Sequence, residues 1–193
     1  MKRLCVFCGS NPGRHPEYTA VAEQLGRLLA EKNIGLVYGG SSLGVMGAVS
    51  NAALAGGAEV IGVIPSALAT REVAHQNLPR LEVVSSMHER KARMAELSDG
   101  FVALPGGWGT MEEIFEALTW AQLGLHRKPC GLLNVAGYFD PLQEFLDHAI
   151  TEAFVKPEYR PMMIIEKDPS VLIERFRNYE PPVVKKWIGK NET

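Results

Sequence analysis

Apolar residues fall in short blocks separated by stretches with helical spacing, and that alternation predicts the fold. Leu4–Cys8 is the first block. Tyr18–Glu31 follows as a helix, with Val21, Leu25, Leu28 and Leu29 on one stripe. Gly35–Tyr38 reads as the second strand and Met46–Ala55 as a small-residue helix after a glycine loop. Val60–Ile64 is a third strand, closed by Pro65, and Leu81–Val84 a fourth, followed by a helix from about Ser86 to Ser98. Phe101–Leu104 precedes a helix from Met111 to about Leu123, and Cys130–Leu133 precedes one near Leu142–Ala153. Met162–Ile165 and Pro169–Asn178 complete the series as a strand and a short helix. Such alternation predicts an α/β, Rossmann-like fold: a mainly parallel sheet with helices on both faces. Ligands of such sheets bind beyond the carboxyl ends of the strands.

The 193 residues suit one domain, and 46% hydrophobic content is enough for a sizeable core. A formal net charge of −2 without a basic block argues against nucleic acid, and the Lys185-Lys186 pair is too short to change that. No apolar stretch has the length of a membrane span or signal peptide, so a soluble, cytoplasmic protein is expected. Cys5 and Cys8 form a C-x-x-C, but within a strand residues three apart point to opposite faces. Ordinary core packing is therefore expected for Cys5 and Cys130. His15, His75, His126 and His148 show no metal-ligand spacing and read as surface or loop residues; no metal is expected.

Two glycine-rich turns stand at strand ends. One is Gly39-Gly40-Ser41-Ser42-Leu43-Gly44-Val45-Met46-Gly47, after Tyr38; the other is Pro105-Gly106-Gly107-Trp108-Gly109-Thr110, after Leu104. Each lies where a helix amino end offers unpaired N–H groups and a favourable dipole to an anion. Neither is a Walker A sequence or a dinucleotide fingerprint. A phosphorylated small molecule held between the two loops is the expectation.

Two charged residues are out of place. Arg90 falls on a stripe with Met87, Met94 and Leu97, where a charge needs a partner or a ligand, whereas Glu89, Arg93 and Glu96 occupy the opposite face. Glu113 has a bland reading as the third residue of a capping box opened by Thr110. It also lies beside the wide apolar arc of Met111, Ile114, Phe115 and Leu118, and an arc that wide points to a subunit interface.

The run Ser86-Met87-His88-Glu89-Arg90-Lys91, followed by Pro105–Glu113, resembles the Lonely Guy family of cytokinin riboside 5′-monophosphate phosphoribohydrolases. The resemblance extends from Cys8-Gly9-Ser10 to Gly137 and includes Thr119-Trp120-Ala121-Gln122-Leu123-Gly124. It implies hydrolysis of the N-glycosidic bond of AMP or an N6-modified AMP, without metal or organic cofactor, by a homodimer. It also implies catalytic roles for Arg90 and Glu113. Substrate contacts are implied for Gly106, Gly107, Trp108, Gly109, Thr110, Met111 and Glu112, and for Glu72, Lys91, Thr119, Gly40 and Ser41. Many members carry a third glycine after Gly39-Gly40, where this chain has Ser41. The family has often been labelled lysine decarboxylase, but no lysine stands out as a pyridoxal phosphate Schiff-base residue. The competing expectation is a carrier of similar fold that binds a nucleotide or cofactor without chemistry.

Overall fold

A computed structural model describes residues 1–69, 74–75 and 78–183. Glu72, the Lys185-Lys186 pair and the C-terminal Trp187 lie outside the described residues. Seven strands alternate with helices as expected: β1 (Arg3–Phe7), α1 (Glu17–Glu31), β2 (Gly35–Tyr38), α2 (Gly44–Ala55) and β3 (Val60–Pro65). Then come α3 (Ser66–Ala69), β4 (Arg80–Val84), α4 (Met87–Leu97), β5 (Phe101–Ala103) and α5 (Trp108–Gln122). The chain continues through β6 (Cys130–Leu133), α6 (Asp140–Thr151), β7 (Met163–Glu166) and α7 (Pro169–Arg177). The short α3 has no apolar periodicity to announce it. The other elements begin or end within three residues of the expected positions, the largest shift being the earlier start of α5.

All strands are parallel, in the order β4-β3-β2-β1-β5-β6-β7. The chain builds outward from β1 in one direction, then returns to β1 and builds in the other. The topology therefore reverses between β1 and β5, where loops diverge from neighbouring strands and leave a crevice. Strand alternation sorts side chains to two cores. Leu4, Val6 and Cys8 face a cluster with α1, α2 and α7, including Leu25, Val49 and Leu172. Cys5 and Phe7 face a second cluster with α4 and α5, including Met94, Ile114 and Ala117. The two N-terminal cysteines thus lie on opposite faces, and all three thiols are free and buried.

Small residues let α1 and α2 approach closely. A methyl group at Gly26 would sit 2.4 Å from the Val49 carbonyl oxygen and 2.8 Å from Ala52 Cβ. At the outer edge of the sheet, β4 carries Arg80 and Glu82, and Arg93 of α4 joins them through a 2.6 Å bond from Nε to Glu82 Oε2. Charged side chains along an open edge oppose strand addition.

Gly26→Ala gains helix propensity but forces the two helices apart, so it should lower the unfolding free energy by about 1–3 kcal/mol. Urea denaturation measures this; a stabilised variant would mean that α1 and α2 are not in backbone contact.

Candidate active site

Three loops meet at the switch point and enclose a cleft of about 440 Å³. Its walls come from Cys8–Gly13 after β1, Val45 and Met46 at the start of α2, and Pro105–Thr110, which runs from the end of β5 into the first turn of α5. Tyr18 and Tyr138 form an outer wall, and Arg90 and Glu113 form the floor. The loops interlock through their backbones. Gly9 N–H donates to the Pro105 carbonyl at 3.1 Å, and Met46 N–H donates to the Gly9 carbonyl at 3.2 Å. At Gly106, a Cβ would lie 2.1 Å from Thr110 Oγ1 and 2.7 Å from the Gly9 nitrogen, so only glycine fits.

Arg90 is 6% exposed and is held from three directions. Its Nη1 lies 2.9 Å from Glu113 Oε1, and its Nε donates to the Val63 carbonyl at the end of β3, at 3.1 Å. A methyl group at Gly39 would come within 2.3 Å of Nη2, so the end of β2 must be bare for the guanidinium to lie flat. Met87, expected on the same stripe, is exposed; the buried stripe runs from Arg90 through Met94.

Glu113 is not a helix cap. Helix α5 begins at Trp108 with Gly107 as an extended N-cap, three residues before the start that the capping box implied, and no side chain caps it. Glu113 falls in the second turn and reaches Arg90 instead. The unused cap has a chemical consequence. The N–H groups of Gly107 through Thr110 precede the first backbone bond of the helix, from Met111 N–H to the Gly107 carbonyl. They have no hydrogen-bond partner among the described residues and stand at the positive end of the helix dipole, a setting that favours an anion. By contrast, Met46 N–H of α2 is already occupied by Gly9, and Leu43 N–H by Ser41 Oγ at 3.2 Å.

Of the two glycine loops expected to share a ligand, the first reaches the cleft through its last part, Val45 and Met46, and not through its beginning. Pro105–Thr110 lines the cleft, but Gly40 and Ser41 do not. The Gly40 carbonyl accepts the His75 N–H at 2.9 Å, and Ser41 forms an isolated bridge with Ala74. That loop seats Arg90 through Gly39 and anchors residues 74–75. His75 is therefore buried rather than exposed, with its Nε2 2.9 Å from Asn51 Oδ1. His126 is half-buried against the Ala117 carbonyl at 2.9 Å, and burial depresses its pKa to about 4.

Lys91, Met111, Glu112 and Thr119 also stand outside the cleft. Lys91 of α4 binds Glu112 and, at 3.0 Å, Glu116 of α5, so it ties the helices that supply Arg90 and Glu113. Thr119 is exposed, its hydroxyl donating to the Phe115 carbonyl at 2.7 Å. Trp108 stands 92% exposed at the rim. The wall after β1, with Tyr18 and Tyr138, was missed. The Gly9-Ser10-Asn11-Pro12-Gly13 turn after the first strand was its one visible signal. Among the described residues, no group of three or more His, Cys, Asp or Glu could hold a metal ion.

The pair sets the electrostatics of the floor. Burial pushes the Glu113 carboxyl up, Arg90 pulls it down, and the net direction is upward. A carboxyl raised in the folded state stabilises the fold least when ionised, so its contribution falls as pH rises through the folded value. Arg90→Met removes the opposing charge and should cost about 3–5 kcal/mol at pH 8. At acid pH the stranded carboxyl protonates, and the loss should shrink. Equal losses at both pH values would mean that Glu113 is not the group left unpaired.

The sequence family described as "Possible lysine decarboxylase" matches residues 46–176. A cytokinin riboside 5′-monophosphate phosphoribohydrolase of Arabidopsis thaliana is 49% identical, covering 93% of this chain and 83% of its own. One from Oryza sativa subsp. japonica is 49% identical, covering 93% of this chain and 74% of its own. Among solved structures, a molybdenum cofactor binding protein from Rippkaea orientalis superposes with a TM-score of 0.70 at 25% identity, covering 92% of this chain and 97% of its own. The Moco carrier protein of Chlamydomonas reinhardtii gives 0.68 at 22% identity, over 92% of this chain and 96% of its own, a likeness of fold alone. At half identity over nearly the full chain, the protein belongs to the family of cytokinin riboside 5′-monophosphate phosphoribohydrolases.

Proposed function

We propose that this chain hydrolyses the N-glycosidic bond of a purine nucleoside 5′-monophosphate, AMP or an N6-modified AMP, releasing free base and ribose 5-phosphate. The observation that carries this reading is the buried Arg90–Glu113 pair, 2.9 Å apart on the floor of a cleft rimmed by open amide groups of α5. Water adds at the anomeric carbon, the bond from that carbon to the base nitrogen breaks, and the base leaves with a proton. Positive charge builds on the ribose ring on the way. A carboxylate beside that carbon lowers the barrier as electrostatic stabiliser, nucleophile or general base, and Glu113 is the carboxylate on the floor. Arg90 orients it and holds it ionised against the effect of burial.

The N–H groups of Gly107, Gly109 and Thr110 bind the 5′-phosphate, with Gly106 supplying the tight turn. Binding energy gathered at the phosphate then positions the ribose over Glu113. Lys91, Met111 and Glu112 support the helix pair from behind, and Trp108 meets the substrate at the rim. Thr119 and Glu72 are further substrate contacts on the family resemblance alone. The half-buried Phe115 and Leu118 of α5 suit a homodimer interface along that helix. Three free thiols suit a cytoplasmic, reducing compartment.

A carrier reading has one observation in its favour, the fold shared with the molybdenum cofactor proteins. It does not account for a buried carboxylate held beside a guanidinium. Incubation with AMP and chromatography for adenine separates the two: release of base supports the hydrolase, and intact nucleotide overturns it. Glu113→Gln should retain nucleotide binding while turnover falls by roughly 10²–10⁴-fold. Near wild-type release of adenine by that variant would remove the assignment. The unphosphorylated riboside should show at least about a hundredfold lower kcat/KM, the equivalent of two charge-assisted hydrogen bonds. Comparable turnover of both substrates would sink the phosphate loop.

A further inference from the structure

We infer that Tyr138 is a positioning residue that sets the phosphate loop in its binding geometry. The inference rests on the reading of Pro105–Thr110 as the phosphate-binding segment. Beyond Gly106 the segment has little side-chain packing of its own on the cleft side. A Cβ at Gly107 or at Gly109 would meet nothing within 4 Å, so these glycines face open space. A loop of that kind needs pins from outside if its N–H groups are to stay aimed at a ligand.

Two such pins exist. Gly9 N–H holds the Pro105 carbonyl at 3.1 Å. The Tyr138 hydroxyl donates to the next carbonyl, that of Gly106, at 2.6 Å. A trans peptide is planar, and its carbonyl and N–H point in opposite directions. Fixing the Gly106 carbonyl therefore fixes the Gly107 N–H on the other side of the same plane. Tyr138 acts on the ligand through that amide.

The chain accepts strain to put Tyr138 there. After β6 the backbone turns through Val135–Gly137, with Ala136 at φ 50° and Gly137 at φ 71°. Left-handed geometry is unfavourable at alanine, whose Cβ crowds the following carbonyl oxygen. The turn is held closed by buried Asn134, whose Oδ1 accepts the Phe139 N–H at 2.8 Å and whose Nδ2 donates to Asp140 Oδ1 at 2.6 Å. The Asn134 N–H donates in turn to the Glu166 carbonyl at 2.7 Å. The ring of Tyr138 is clamped edge-on by Tyr18, at 5.7 Å between centroids, and by Phe139 at 4.9 Å. Strain that survives beside a ligand cleft, supported by a buried bracket, marks a side chain whose direction matters.

Tyr138→Phe removes the hydroxyl and keeps the clamped ring. Calorimetric titration with ribose 5-phosphate should show about tenfold weaker binding, the loss of roughly one hydrogen bond's worth of order at the loop. Steady-state assays should show KM for the 5′-monophosphate rising by a similar factor, with kcat within about twofold and KM for the unphosphorylated riboside unchanged. A merely structural tyrosine would not separate the two substrates. Wild-type affinity for ribose 5-phosphate in the variant overturns the inference, as does a loss confined to kcat. If the wild-type protein itself fails to bind ribose 5-phosphate, the phosphate-loop reading falls with it.

Discussion

A guanidinium and a carboxylate buried together make a demanding constraint, and much of the switch-point architecture satisfies it. Each charge taken alone into the interior would cost several kcal/mol, so each is tolerable only while the other is in place. The bare edge at Gly39, the carbonyl of Val63 and the tie from Lys91 to Glu112 and Glu116 all serve to keep Arg90 and Glu113 within reach of each other. A floor so fixed cannot relax when a substrate arrives. Preorganisation of that kind is what electrostatic catalysis requires.

The topology explains why the pair can sit there at all. Because the sheet reverses between β1 and β5, two neighbouring strands send their loops apart and leave room above Arg90 and Glu113. Two helices start at this opening. Helix α5 presents the unpartnered N–H groups of Gly107 through Thr110, whereas at the start of α2 Gly9 and Ser41 have engaged those of Met46 and Leu43. The division of labour is physical: one helix end completes the scaffold, and the other is left reactive toward anions.

The sheet, its helices and the anomaly of Arg90 were legible in the sequence because each rests on periodicity within one element. Arg90 on the stripe with Met94 is such a case. Glu113 was visible only ambiguously: Thr110 three residues before it is equally a capping pattern, and the decision lay with Gly107, whose extended backbone starts the helix earlier. Ser41 was misplaced because a glycine loop looks the same whether it binds a phosphate or a neighbouring segment. His75 was taken for a surface residue for a related reason, since its partner Asn51 is supplied by tertiary structure. Tyr138 was beyond sequence reasoning. Its direction comes from a left-handed alanine and an asparagine bracket, neither of which leaves a periodic trace.

The thiols on the two faces of the sheet carry a consequence of their own. Cys5, Cys8 and Cys130 are each no more than 1% exposed and cannot meet one another across the strands without dismantling them. Burial also raises the pKa of each, leaving little thiolate to react. A soluble alkylating reagent therefore reaches Cys5 and Cys130, within the strands, during excursions in which the sheet parts. The rate of labelling becomes a clock for those excursions, built into the native chain.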